Sequence, residues 1–272
     1  MNITKPYIVE LAKTLSGHWY KVWRQLPNEV VGGTGEKKYC NDSPIKGEYL
    51  GVFPSSTTIL NAYPQSEHLT RWIAEQGWQE SQAIKSAAGL RGTLIHQGIE
   101  DLIDGAELYE GGFVNGINRP ISLEEYWKLS TFVNWYNEYQ PEIIAKEMRV
   151  FSEEGGYAGT FDAIIRVGGE ITLIDWKSSS SIHDHFPLQF ASYAKAVEET
   201  TDLEIVQTAC LQLGASNKNG YRFVIYPDWR EHYKVFENVR AVWQYEYFDS
   251  KKNPKEAPVL ELPPKLKLEV KS

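Results

Sequence analysis

The stretch from Tyr157 to Ser181, YAGTFDAIIRVGGEITLIDWKSSSS, constrains the fold of this chain more than any other. Two runs rich in β-branched and aromatic residues flank Gly168-Gly169, a pair suited to a tight turn, so the segment predicts a β-hairpin. Its strands should be mostly apolar, yet they carry Asp162, Asp175 and Lys177. Side chains two apart on a strand share a face, so Asp175 and Lys177 project together while Trp176 points the other way. Asp162 sits on the preceding strand, within reach of Asp175. Two carboxylates in a semi-buried place repel each other and raise a pKa unless a cation lies between them. A hard divalent ion, Mg2+ or Mn2+, suits oxygen ligands and keeps several waters for a phosphate group. Lys177 would then orient or help deprotonate an attacking water. An isolated Asp-x-Lys is usually a surface ion pair; the strand, turn and second strand around this one make it far more specific.

The chain around the hairpin divides in two. Residues 1–26 read as a helix with Tyr7, Leu11, Leu15, Trp19 and Val22 on one side, followed by the loop GGTGEKK. GEYLGVFP is a short extended segment, and Ser55 to Thr58 open a helix. Residues 67–104 read as helical with turns near Gly77 and Gly89, and LEEYWKLSTFVNWYNEYQ as a helix stopped before Pro141. Beyond it the order is β-β-β-α-β-β-α. The expected fold class is α/β: a single domain over residues 1–250 with a helical front part to about 140 and an αβ core from about 141, then a flexible tail at 251–272.

Composition narrows the function. A net charge of −8 argues against coating nucleic acid by bulk electrostatics, which needs clustered Lys and Arg. It leaves room for an enzyme that grips a few phosphates through metal. Two cysteines, Cys40 and Cys210, are too few for a disulfide framework or a four-cysteine iron–sulfur cluster. No apolar run is long enough to span a bilayer and MNITKPYIVELAK is no signal sequence, so the expected location is the cytoplasm, that of a host if the chain is phage-encoded.

Several side chains outside the hairpin suit the same chemistry. Ser56 and Thr57, with Ser55 and Thr58, stand at a helix start, where free N–H groups favour a phosphate; plain capping needs one of them. Glu147 is a candidate accessory acid on the first strand of the core. Tyr63, Trp72 and Trp78 would either stack bases or fill a core. His183 and His185, in a loop, are read as solvated.

GTFDAII and ITLIDWKSS, with RGTLIHQGIE upstream and LQFASY downstream, resemble the signature of the PD-(D/E)XK nuclease superfamily in its RecB-like branch. FPSSTTILNAYPQSEHLTRWIAEQG is similar to the start of phage exonucleases and of the mitochondrial genome maintenance exonuclease. The likeness spans roughly residues 50 to 230; residues 1–48 and the tail lie outside it. It implies a restriction-endonuclease-like core, with a central mixed β-sheet flanked by helices. Asp162, Asp175 and Lys177 would be catalytic, with His96, Asp162, Asp175 and the Trp176 backbone carbonyl as metal ligands. Many relatives have Glu where this chain has Asp175. Glu100, one turn after His96, would orient the imidazole. Gln189 and Tyr193 share a helix face and would meet DNA or the active-site edge. The implied activity is that of an Mg2+- or Mn2+-dependent DNA exonuclease working on single-stranded or free ends in recombination, replication or end-processing, beside a partner protein that stays unknown, with no iron–sulfur cluster and no membrane. An endonuclease of the same fold and an inactive nucleic-acid-binding module are the alternatives.

Overall fold

The computed structural model describes residues 7–12, 18–25 and 47–249, leaving aside the side chains of Phe248 and Asp249. The front of the chain is a sheet, where the sequence predicts a helix. Strands β1 (Tyr7–Ala12), β2 (Trp19–Gln25) and β3 (Gly47–Pro54) pair antiparallel in that order. The i, i+4 spacing of Tyr7, Leu11, Trp19 and Val22 was coincidental: Leu11 is half exposed, whereas Val9 and Val22 are buried. YIVELA and WYKVWRQ are dense in β-branched and aromatic residues, and burying them against strands outweighed the helical spacing. Leu15, GGTGEKK and the tail at 251–272 lie outside the described residues.

Four helices follow. The first is α1 (Ser56–Leu60), capped by the Ser55 hydroxyl, which accepts from Thr58 N at 2.9 Å. Next come α2 (Glu67–Gln76) and α3 (Trp78–Ile103), which meet at Gly77; α3 runs unbroken through Gly89, where the sequence suggests a turn. Finally α4 (Leu123–Tyr139) opens with a capping box between Ser122 and Glu125 and stops at Gln140, before Pro141.

The rest matches the expected order: β4 (Glu142–Ser152), β5 (Tyr157–Val167), β6 (Glu170–Lys177), α5 (Phe186–Thr200), β7 (Gln207–Leu213), β8 (Tyr221–Tyr226) and α6 (Trp229–Gln244), with a short π-turn to Asp249. The five strands form one mixed sheet in the order β4-β5-β6-β7-β8, antiparallel throughout except for β6 and β7. Parallel neighbours need a crossover, and α5 supplies it.

Helices cover both faces, which makes the fold α/β. On one face α1, α5 and α6 pack on Tyr157, Phe161, Leu173 and Cys210. On the other, α3 and α4 bring Ile95, Phe132 and Trp135 onto Ile165, Ile174, Trp176 and Leu211. Burying a side chain the size of Phe132 contributes roughly 1.5–3 kcal/mol, so these layers fix the strands that carry the charged residues. The β1–β3 sheet packs through Val9, Tyr20 and Val22 onto Phe151 and Ala158, at the far end of β4 and β5. None of the described helices is long and apolar enough to cross a membrane.

Candidate functional site

The hairpin of β5 and β6 is closed at one end and open at the other. From Val167–Glu170 the ladder runs regularly to Ala163–Ile174 and stops. The next residues out are Asp162 and Asp175. Asp162 takes the place of a ladder partner: its Oδ2 accepts the Trp176 N–H at 2.6 Å. Its Oδ1 lies 3.2 Å from His96 Nδ1, delivered by α3. An amide and an imidazole thus satisfy a buried carboxylate that would otherwise cost several kcal/mol.

Trp176 points away from the acids, as the alternation requires, and its indole packs edge-on to Phe132 with ring centres 5.5 Å apart. Its amide is the group that Asp162 holds. Asp175, 3% exposed, lies on the opposite face beside Cys210 of β7 and forms an ion pair with Lys177. Lys177 Nζ also donates to Gln189 Oε1 at 3.0 Å and sits 4.8 Å from the centre of the Phe186 ring. Gln189 Nε2 in turn donates to the Tyr193 hydroxyl at 2.9 Å. The chain Asp175–Lys177–Gln189–Tyr193 therefore runs inward along α5. Gln189 and Tyr193 are 7% and 4% exposed, and both are tied to the Lys177 side of the group. Tyr193 lies flat against Gly159, and a Cβ there would run into its ring. The Gly of GTFD is required by this close approach, not by a turn.

Glu147 completes the group. Ligand atoms of His96, Glu147 and Asp162 all lie within 4.8 Å of one another. Glu147 sits on β4 with φ 46°, and among the described non-glycine residues only Gln140, at the end of α4, shares a positive φ. Such a conformation costs about 1–3 kcal/mol, and here it occurs where the side chain turns towards the acids.

The electrostatics follow from this crowding. Burial opposes a charge on His96, but the Asp162 carboxylate, with Asp175 behind it, outweighs burial and raises the imidazole to about 9. Glu147 is itself exposed, but partial desolvation among the crowded groups and then Asp162 push it up to about 7. Asp175 is likewise raised, by burial and Asp162, with Lys177 pulling the other way. Lys177 is raised above the ordinary lysine value: burial opposes its charge, and Asp175 and Asp162 overcome it. Three carboxylates with one imidazole and one ammonium remain short of positive charge. Oxygen donors with a single imidazole fit a hard divalent cation, so the residues present suit Mg2+ or Mn2+.

Other expectations fare differently. Glu100 accepts from Gln97 at 3.2 Å, and the partner of His96 is Asp162. Ser56 is fully buried, with its Oγ accepting from Ser192 Oγ at 2.8 Å, so it does not face a phosphate. The Ser55–Thr58 run is spent on capping and on tying His18 to α1; Thr57 is exposed and shares a hydrogen bond with Ser55. Trp78 is 68% exposed, and α2, which carries Trp72, buries no residue, so neither aromatic is core; Tyr63 is half-buried against the main core. His183 and His185 stack with ring centres 5.6 Å apart; His183 is exposed, but His185 is partly buried against Phe186 and Tyr63, which is why its expected solvation is only partial.

The sequence reading missed Tyr20. Its hydroxyl shares a 3.1 Å hydrogen bond with Thr160, two residues before Asp162, and brings the front sheet to the edge of the site. Reading YIVELA and WYKVWRQ as strands would have made that sheet visible, though not its docking place.

No family model and no curated protein matches this chain. Among solved structures, the crystal structure of SSO0001 is similar over 69% of this chain and 84% of its own, at 13% identity and a TM-score of 0.34, a likeness too loose to bear on fold or function.

Proposed function

We propose that the chain is a metal-dependent DNA exonuclease built on a PD-(D/E)XK core of the RecB-like branch. One observation carries the reading: at the open end of the β5–β6 hairpin, His96, Glu147 and Asp162 gather within 4.8 Å, beside the Asp175–Lys177 pair. Three different elements (α3, β4 and the hairpin) deliver those groups, and a surface ion pair would need none of them.

A divalent cation held by His96, Asp162, Asp175 and Glu147 would supply Lewis acidity at a phosphoryl oxygen and lower the pKa of a water there. The protein's own groups do the positioning. His96 would bind the cation by giving up the proton that Asp162 stabilises, and the Trp176 amide orients the Asp162 carboxylate. Lys177, raised by its burial partner Asp175, is an ammonium at neutral pH. It orients the attacking water and offers a positive charge to the developing phosphorane, and it is not the base. Gln189 holds Nζ in that direction, and Tyr193 holds Gln189. Water adds to phosphorus and gives up a proton to solvent, the bond to the leaving oxygen breaks, and that oxygen takes up a proton from solvent water.

The test is end-labelled linear single-stranded DNA beside covalently closed single-stranded circles, in Mg2+, Mn2+ or EDTA. Degradation of the linear strand in metal, with resistant circles, supports the exonuclease. Rapid nicking of circles makes it an endonuclease with the same chemistry. Metal-independent binding without cleavage makes it a binding module.

A further inference from the structure

Beside the acids lies a patch of opposite character, and part of it comes from the front sheet. On β4 and β5, Arg149 pairs across the ladder with Thr160. Thr160 stands two residues before Asp162 and by strand alternation looks to the same side as that acid, and Arg149, its partner across the ladder, shares its face. Tyr20 of β2 reaches over them and shares its hydroxyl with Thr160 Oγ1 at 3.1 Å. Burial raises the Tyr20 phenol, the Thr160 hydrogen bond and the Arg149 charge lower it, and the Glu147 charge raises it. Arg149 is exposed and makes no ion pair among the described residues; its one hydrogen bond there, 3.4 Å to the Val9 carbonyl, leaves most of the guanidinium fork unused. Elsewhere near the site cations are spent: Lys146 on Asp104, Lys128 on Glu124, Lys177 on Asp175. In a chain of net charge −8, an uncommitted guanidinium next to two hydroxyls is suited to an anion with two acceptor oxygens, such as the non-bridging pair of a phosphodiester.

We propose that Arg149 and Thr160 form a subsite for a phosphodiester of the bound strand, adjacent to the Glu147–Asp162 group. Tyr20 is its positioning residue, because it sets the direction of the Thr160 hydroxyl. The front sheet, which lies outside the resemblance to nucleases, then contributes to substrate binding rather than serving as a mere appendage. This subsite rests on the nuclease reading for its substrate, but phosphate binding tests it alone.

Steady-state kinetics on a fluorescein-labelled single-stranded deoxyoligonucleotide in saturating Mn2+ would compare the parent with Arg149→Gln, Arg149→Lys and Tyr20→Phe. Titration calorimetry without nucleic acid would follow Mn2+ binding. Losing a charge-assisted phosphate contact should raise KM about tenfold in Arg149→Gln, with kcat within about twofold and Mn2+ affinity unchanged. Arg149→Lys should recover part of the loss, and Tyr20→Phe should raise KM by a smaller factor. An unchanged KM in Arg149→Gln, or an equal loss of Mn2+ affinity, overturns the subsite. If the parent cuts no strand, the nuclease reading fails, and calorimetry of inorganic phosphate with the Mg2+-loaded protein decides. Weaker phosphate binding by Arg149→Gln upholds the subsite; equal or undetectable binding by both proteins overturns it.

Discussion

The two ends of the β5–β6 hairpin are made from the same pair of strands and do opposite things. At the turn, Gly168 and Gly169 take φ of 61° and 89°, the ladder is complete, and the neighbouring Val167 and Ile165 are apolar and buried. At the other end the ladder is interrupted, and an Asp162 carboxylate replaces a backbone partner for the Trp176 amide. The closed end spends its residues on stability. The open end spends stability on charge: buried acids, a strained Glu147 and pKa values displaced from their ordinary range. The difference teaches that interrupted pairing is what makes room for reactive groups within a well-packed sheet.

The comparison breaks most visibly at Asp175 and Lys177. Either residue changed to Ala should lower cleavage by on the order of 1000-fold or more, because each removes a group that acts on the reacting phosphate. Lys177→Ala also strands a buried carboxylate, at about 3–5 kcal/mol, so thermal unfolding should show it folded but less stable. The double variant Asp175→Asn, Lys177→Met should regain stability while staying inactive.

A smaller break comes from Gly159→Ala. Its methyl group displaces the Tyr193 ring, which loosens Gln189 and with it Lys177. Loss of such an indirect support should cost about 10–100-fold in kcat and leave Mn2+ affinity unchanged. A matching fall in metal binding would show that the glycine supports the sheet and not the lysine.

The closed end provides the contrast. Gly168→Ala and Gly169→Ala each place a Cβ at positive φ and should cost roughly 1–2 kcal/mol in urea unfolding. Activity of the folded fraction and metal affinity should not change. Loss of metal binding at wild-type stability would mean that the two ends are not independent.

The mildest effect is on pH. His96 is raised by folding, so its stabilisation is complete below about 6.5 and is lost as pH rises through about 9. Glu147 is raised from 4.5 to about 7, and its penalty grows across that interval. Both slopes have the same sign, so metal-free protein should lose stability from about pH 5 to about pH 9. Mn2+ competes with the His96 proton, so the rise in Tm that it causes should be larger near pH 9 than near pH 6, and His96→Ala should flatten that trend.

The strong signals were those where local chemistry and long-range packing agree. Gly-Gly between two β-rich runs specified the hairpin, and alternation placed Asp175 and Lys177 opposite Trp176, as the structure has them. The front failed because its i, i+4 spacing and its β-rich composition pointed to different elements, and burial against β4 and β5, which no local window contains, decided between them. Glu147 was legible as a candidate accessory acid, but its closeness to His96 and Asp162 was not, because it goes with a positive φ on β4 and with α3 bringing His96 to that point. Ser56 misled because capping and packing against Ser192 use the same hydroxyl chemistry as phosphate binding.

The proposed role of the hairpin's open end is to hold a divalent cation for phosphodiester hydrolysis. Its most direct measurement is a time course on a linear, end-labelled single strand with Mn2+, with EDTA, and with Asp175→Ala in Mn2+. The account predicts steady loss of label in the first reaction alone. Full-rate cleavage by Asp175→Ala, cleavage that survives EDTA, or an intact strand in every metal would contradict it.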